Sequence, residues 1–130
     1  MNQEIFKSNR YFTTFDVLVS HGQLLLRSQK NDSQTLNIDI IFFDTTYIQL
    51  FSKLNGISIT MTNEKNVIEY KSVSKYLSYE NHYLFEIISG SEKYYIAASF
   101  VKVFENALGF NETSLGFENK GREKEIAGSR

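Results

Sequence analysis

Residues 36–43, with the sequence LNIDIIFF, constrain the fold more than any other stretch of the chain. Apolar and polar side chains alternate in the first part, and this is the period of a β-strand with one buried face. The alternation ends at Ile41 and Phe43, where both faces of the strand become apolar. The stretch therefore predicts a strand whose sheet is covered on its second face at one end.

Similar runs recur along most of the chain. Further strands are predicted at residues 11–20, 23–28, 47–51, 57–62, 67–73, 83–88 and 93–99. Turn signals separate several of them, at His21-Gly22, at Asn55-Gly56 and at residues 89–92. The pattern predicts a mainly β protein, a single-domain meandering antiparallel sheet, sandwich or small barrel of about eight strands. Its core is predicted to contain Ile38, Ile40, Phe42, Ile57, Ile59 and Phe85.

One C-terminal helix is expected in addition, over residues 97–108. Apolar residues recur there at helical spacing: Ala97, Val101, Phe104 and Leu108. Ser99 can cap the start of this helix, and Gly109 stands where a left-handed C-terminal residue belongs. A strand through Val101 and Val103 is the competing interpretation. The apolar stripe of the helix would cover the second face of the sheet at Ile41 and Phe43.

The chain length of 130 residues fits one domain with a core of its own. Residues 1–118 are predicted to form a single β-rich domain. Residues 119–130 are rich in charged and small side chains. They are expected to form a flexible C-terminal tail.

Composition excludes several classes of function. The chain has no cysteine, so it has neither disulfides nor thiolate ligands. A formal net charge of −1 disfavours binding to nucleic acid. No apolar run is long enough for an integral membrane segment or a signal peptide, and a cytoplasmic location is expected. Abundant Asn, Lys, Ile, Phe and Tyr, with no Pro, indicate a gene from an AT-rich genome, and a bacterial source is expected.

No catalytic or metal motif is found in the sequence. The two histidines, His21 and His82, stand far apart, and neither has a second ligand at metal spacing. Asp39 is the most unusual carboxylate because it lies within an apolar strand, but it is expected on the solvated face beside Asn37. These observations predict neither a cofactor nor a metal, and they favour a protein that is not an enzyme.

One stretch has the composition of a binding surface. Its candidate binding residues are Tyr76, Tyr79, His82, Tyr83, Tyr94 and Tyr95. Tyrosine is enriched at interfaces because it offers a large contact area and a hydroxyl that tolerates water. Half-buried tyrosines are also ordinary in β-strands, and that interpretation is the more economical one.

Three classes of function remain open. The first is a small protein-interaction module that sequesters a protein partner or forms a homo-oligomer, as bacterial immunity or antitoxin-like proteins do. The second is a small-molecule or lipid-binding β-barrel with a layout like that of pleckstrin-homology domains, strands closed by a C-terminal helix. The third is an enzyme with an Asp/His/Tyr site assembled from separate strands. The sequence favours the first.

Overall fold

A computed structural model describes residues 2–62, 82–116 and 118–130 of the chain. In these residues nine strands form one antiparallel sheet, and a short 3-10 turn, Val19–His21, follows the first strand. The strands are β1 (Asn2–Leu18), β2 (Gln23–Ser28), β3 (Asn37–Phe43), β4 (Tyr47–Gln49), β5 (Lys53–Thr62), β6 (Tyr83–Ser89), β7 (Glu92–Ala98), β8 (Phe100–Asn106) and β9 (Lys124–Gly128).

The long first strand organises the sheet, whose order is β4-β7-β6-β5-β1-β2-β3-β8-β9. Residues 2–13 of β1 pair with β5, and residues 13–18 pair with β2. The change of partner occurs at Thr13, which is paired with both Lys53 and Arg27. Strand β1 therefore joins two halves of the sheet, with β4 and β9 at the outer edges.

The sheet curls so that the inner faces of its two halves meet. Phe42 in β3 packs edge to face against Phe85 in β6 at 5.5 Å between ring centroids, although β5, β1 and β2 lie between them in the sheet. One apolar cluster fills the interior, and it contains all six residues predicted for the core: Ile38, Ile40, Phe42, Ile57, Ile59 and Phe85. The mainly β prediction is confirmed, and so is this core.

Two of the three predicted turns are confirmed. Gly22 ends the 3-10 turn with a φ of 61°, and Gly90 has the same positive φ between β6 and β7. Asn55-Gly56 makes no turn and lies inside β5. Gly56, with a φ of 81°, stands opposite an irregularity in β1, where the register shifts. Its conformational freedom thus serves a bulge rather than a hairpin. The strand predicted at residues 67–73 lies outside the described residues.

The helix predicted over residues 97–108 is replaced by strands. Strand β7 ends at Ala98, and β8 pairs with β3 from Phe100 to Asn106. Val101 packs in the interior cluster, whereas Phe104 packs on the opposite face with Ile41. Because β8 is apolar on both faces, apolar and polar residues do not alternate along it. The spacing of its apolar residues therefore resembled the apolar stripe of a helix. Gly109, expected to be left-handed, is absent from the positive-φ residues of the described chain.

The second face of β2, β3 and β8 is nevertheless covered, as the sequence predicted, but by the C-terminal segment, residues 107–116 and 118–123. Leu115 of this segment packs on a second apolar cluster formed by Leu25, Ile41 and Phe104. Gly121 in this segment has a φ of 82°, and a Cβ there would lie 2.6 Å from Leu108 Cδ1. A side chain at this position would be strained by the positive φ, and Leu108 would have to move to make room for it.

A buried ion pair anchors the C-terminal segment, which we call the cover, to the sheet. Arg27 Nε and Nη2 donate to the two carboxylate oxygens of Asp39 at 2.6 and 2.7 Å. Asn106 Nδ2 and Ser114 Oγ donate to Asp39 Oδ2 at 2.9 and 2.6 Å. The placement of Asp39 and Asn37 on a solvated face was wrong, since both are fully buried. Four donors occupy the carboxylate, so its role is structural.

Arg27 also binds the cover directly. Its Nη1 donates to the Glu112 carbonyl oxygen at 2.6 Å, and its guanidinium carbon lies 4.1 Å from the centre of the Phe15 ring. The Glu112 carboxylate accepts from the Gly109 amide at 2.7 Å and from Lys120 Nζ at 2.5 Å. The Lys120 hydrogen bond is the main reason that the pKa of Glu112 is lowered, and the pKa of Lys120 is raised by the same bond.

The C-terminal residues, expected to be a flexible tail, carry the last strand of the sheet. Strand β9 pairs with β8, with Lys102 opposite Gly128 and Glu105 opposite Lys124. Ala127 is half-buried against the interior cluster. The segment 119–130 is thus integrated into the fold.

Candidate functional site

Within residues 2–62, 82–116 and 118–130, the two edges of the sheet differ in charge, and the uncharged edge is the candidate site. Strand β4 pairs with β7, with Ile48 opposite Ile96 and Gln49 opposite Tyr95. Residues 45–52, which contain β4 and its flanks, include no charged side chain. Ile48 and Phe51 are exposed at 46% and 58%. We call residues 45–52 the β4 edge.

The opposite edge is charged. Glu125 of β9 lies 3.2 Å from Lys102 Nζ, and Lys124 Nζ lies 2.7 Å from Glu105. Charged side chains on an edge strand discourage pairing with another chain. Strand β9 has this protection, and the β4 edge lacks it.

A tight corner fixes the start of the β4 edge. Asp44 adopts a φ of 54°, which is uncommon for a residue with a side chain. The Thr45 amide donates to the Gly22 carbonyl at 2.9 Å, and the Thr46 amide donates to the Ala97 carbonyl at 2.9 Å. A Cβ at Gly22 would lie 3.1 Å from the Thr45 nitrogen. The β1–β2 turn and β7 therefore hold the edge in place.

His82, a predicted binding residue, lies at this corner. It is 7% exposed, and its Nε2 donates to the Asp44 carbonyl oxygen at 3.0 Å. The same nitrogen is 3.7 Å from Asp44 Oδ2, to which Ser99 Oγ donates at 3.0 Å. In this arrangement the serine hydroxyl is bound to the carboxylate and not to a base that could activate it. The three side chains thus act as an anchor for the corner.

The predicted tyrosines divide between the two faces of the sheet. Tyr83 and Tyr94 are half-buried against the interior cluster. Tyr95 points to the other face, is 5% exposed, and donates its hydroxyl to Glu86 at 3.3 Å. Tyr76 and Tyr79 lie outside the described residues. The structure thus brings His82 and Tyr95 next to the β4 edge, and it separates Tyr94 from Tyr95.

Ile48 and Phe51 were not singled out as site residues from the sequence. Their signal was the absence of charge in residues 45–52, which becomes meaningful only once β4 is known to be an edge strand.

Among residues 2–62, 82–116 and 118–130, no group of His, Asp and Glu side chains could hold a metal ion. In the same residues there is no helix with the length and apolar character of a membrane span.

The outer face of the other half carries a depression of about 310 Å³. Residues of β3, β8, β9 and the C-terminal segment line it: Phe43, Phe100, Lys102, Phe104, Asn119, Arg122 and Glu125. None of these residues was predicted as a site residue.

Comparison with protein-family models, with curated proteins and with solved structures finds no match to this chain.

Proposed function

We propose that this protein is a non-enzymatic protein-interaction module that binds an extended segment of a partner protein at the β4 edge. The observation that carries the proposal is the contrast between an uncharged, partly apolar edge and a charged one. An edge strand offers main-chain N–H and C=O groups to which a partner can add a strand. The charged edge would reject the same partner.

The chemistry of the β4 edge defines the partner segment. Ile48 and Phe51 offer apolar contacts on an edge without charge, so the favoured partner strand is itself uncharged and alternates apolar residues. The main chain supplies affinity, and side chains at alternate positions supply specificity. Sequestration of a cytoplasmic partner, in the manner of an immunity or antitoxin-like protein, is the biological role that we propose for this surface.

The proposal predicts that Ile48→Lys will abolish partner binding and leave the fold intact. A lysine at the centre of the edge must be desolvated when a strand is added, and loss of an apolar anchor at an interface hot spot costs about 2 kcal/mol or more. A partner is to be captured with the wild-type protein, identified by mass spectrometry and purified. Its dissociation constant is then measured by isothermal titration calorimetry, and amide exchange is followed in β4.

Ile126→Lys is the matched control, because Ile126 is 40% exposed on the other edge strand. It should leave the affinity within about twofold, the range of surface substitutions. Equal affinity of the wild-type and Ile48→Lys proteins would contradict the proposal. Self-association that Ile48→Lys removes would identify a second copy of this chain as the occupant of the edge.

The same measurement distinguishes the β4 edge from one other surface. If the predicted tyrosine surface binds the partner, Tyr94→Ala will weaken binding while Ile48→Lys will not.

A small-molecule or lipid-binding barrel remains the alternative function, but the pleckstrin-homology-like layout loses its support without the C-terminal helix. An enzyme with an Asp/His/Tyr site gains little from His82 and Asp44, since both are engaged in anchoring the corner.

A further inference from the structure

Another depression lies between β1 and the loop that joins β2 to β3, residues 29–36. Tyr11 and Thr13 line it from β1, and Gln29 and Gln34 line it from the loop. Its volume is about 250 Å³, whereas pockets for drug-sized ligands have roughly 300–1,000 Å³. The depression therefore suits a ligand that consists of a single ring.

Hydrogen bonds fix the loop in place, although it has no regular secondary structure. Asn31 Oδ1 accepts from both the amide and the hydroxyl of Ser33 at 2.9 Å. Arg10 Nη2 donates to the carbonyl oxygens of Gln29 and Leu36, at the two ends of the loop, at 3.2 and 2.9 Å. A wall that is already ordered costs little conformational entropy when a ligand binds to it.

The neutral polar groups of the lining are available to a ligand. Within residues 2–62, 82–116 and 118–130, no side-chain hydrogen bond engages the hydroxyls of Tyr11 and Thr13 or the carboxamides of Gln29 and Gln34. Hydroxyl and carboxamide groups each act as both donor and acceptor. Ligand hydroxyls have the same double capacity, so a hydroxylated ligand matches this set of groups.

Tyr11 supplies the apolar contact, and its ring is open to a ligand. The residue is 50% exposed. In the part of the chain that the structure describes, neither an aromatic ring nor a cation packs against it. The C–H groups of a saturated ring can pack on such an aromatic face through dispersion contacts.

The two cations of the lining, Arg27 and Lys30, are held by other parts of the fold. The Arg27 side chain is fully buried and paired with Asp39. Lys30 Nζ donates to the Ala107 carbonyl oxygen at 2.7 Å. What the depression offers to a ligand is therefore neutral hydrogen-bonding groups beside one ring, and this favours a neutral ligand.

We propose that this depression binds a neutral sugar ring of monosaccharide size. One C–H face of the sugar packs on the Tyr11 ring, and its hydroxyls exchange hydrogen bonds with Thr13, Gln29 and Gln34. The proposal goes beyond the proposed function and is independent of it, because none of the lining residues belongs to the β4 edge.

The test is an NMR titration of the full chain with the methyl glycosides of glucose, galactose and mannose. At least one of them should give saturable shifts at residues 11–13 and 28–34. Glycerol, which has hydroxyls without a ring face, should give none. No saturable shift with any of the three glycosides up to the solubility limit would overturn the proposal, and so would saturable shifts confined to other surfaces. Tighter binding of methyl glucuronide than of methyl glucoside would overturn the neutral class of ligand.

Tyr11→Ala should raise the dissociation constant of the best glycoside about threefold or more, because the ring contact is lost. Tyr11→Phe keeps the ring and should lose less. Phe110→Ala is the matched control, because it removes an aromatic ring that is 74% exposed on the cover. It should leave the constant unchanged.

Gln34→Leu should also raise the constant about threefold, since it removes a hydrogen-bonding group of nearly the same shape. The loop should stay folded, because Gln34 holds it through its main chain. Its amide donates to Asn31 Oδ1, and its carbonyl oxygen accepts from the Asn31 amide. Unchanged constants in both Tyr11→Ala and Gln34→Leu would overturn the proposal.

Discussion

Replacing Asp39 with alanine is expected to lower the free energy of unfolding by about 3–5 kcal/mol, because it leaves the Arg27 guanidinium charged, buried and without its carboxylate. The loss also removes the acceptor for Asn106 and Ser114, so two further buried donors lose a partner. Urea denaturation followed by circular dichroism measures the change. Asp39→Asn keeps the shape of the side chain and provides a variant that is more certain to fold.

Two controls separate the ion pair from a general effect of losing an acid. Asp32→Ala removes an exposed carboxylate and should change the free energy by no more than about 0.5 kcal/mol. The double variant Arg27→Leu/Asp39→Leu should lose less than the sum of the two single leucine variants, because neither charge is left alone. A loss below about 0.5 kcal/mol for Asp39→Ala would show that the pair does not hold the cover on the sheet.

Replacing Phe42 or Phe85 with alanine should each cost about 3–5 kcal/mol, since both rings are fully buried in the interior cluster. The two positions belong to opposite halves of the sheet, so their contact depends on its curling. In the double variant the losses should not add. The two rings contribute a coupling energy of about 0.5–1.5 kcal/mol beyond the area that they bury.

The coupling is measured with a double-mutant cycle in urea, using Phe→Leu variants if the alanine variants do not fold. Phe12→Leu combined with Phe85→Leu gives a comparison within the same cluster. Additive losses for Phe42 and Phe85 would contradict the direct ring contact and with it the curled arrangement of the two halves.

The fold was predictable where one face of a strand is buried and the other is polar. The inward residues of β3 and β5, such as Ile40 and Ile59, follow period two and were placed correctly. Strand β8 was predicted as part of a helix, because Val103 and Phe104 are buried on opposite faces and apolar and polar residues therefore do not alternate. The hairpin predicted at Asn55-Gly56 was wrong because a glycine with positive φ can occur in a hairpin turn or opposite a bulge. Which of the two forms depends on the partner strand.

The polar network and the candidate sites depend on contacts that are remote in sequence. Asp39 meets Asn106 and Ser114 across 67 and 75 residues, and no local pattern reports such pairs. The opposite charges of Arg27 and Asp39 on neighbouring predicted strands were a usable signal, because strand pairing could bring them together. The β4 edge was hidden for another reason, since whether a strand lies at an edge depends on the order of the whole sheet.

The buried ion pair has a consequence for the order in which the chain is completed. Residues 107–123 are synthesised long after Arg27 and Asp39. The outer face around this pair is therefore exposed to water until the last quarter of the protein emerges during synthesis. Until then, the two ions keep their hydration, and the apolar residues Leu25 and Ile41 on the same face lack the contact with Leu115. Docking of the segment then dehydrates a matched pair with a defined geometry. The hydrogen bonds between the pair and Glu112 and Ser114 thus define where the segment closes on the sheet.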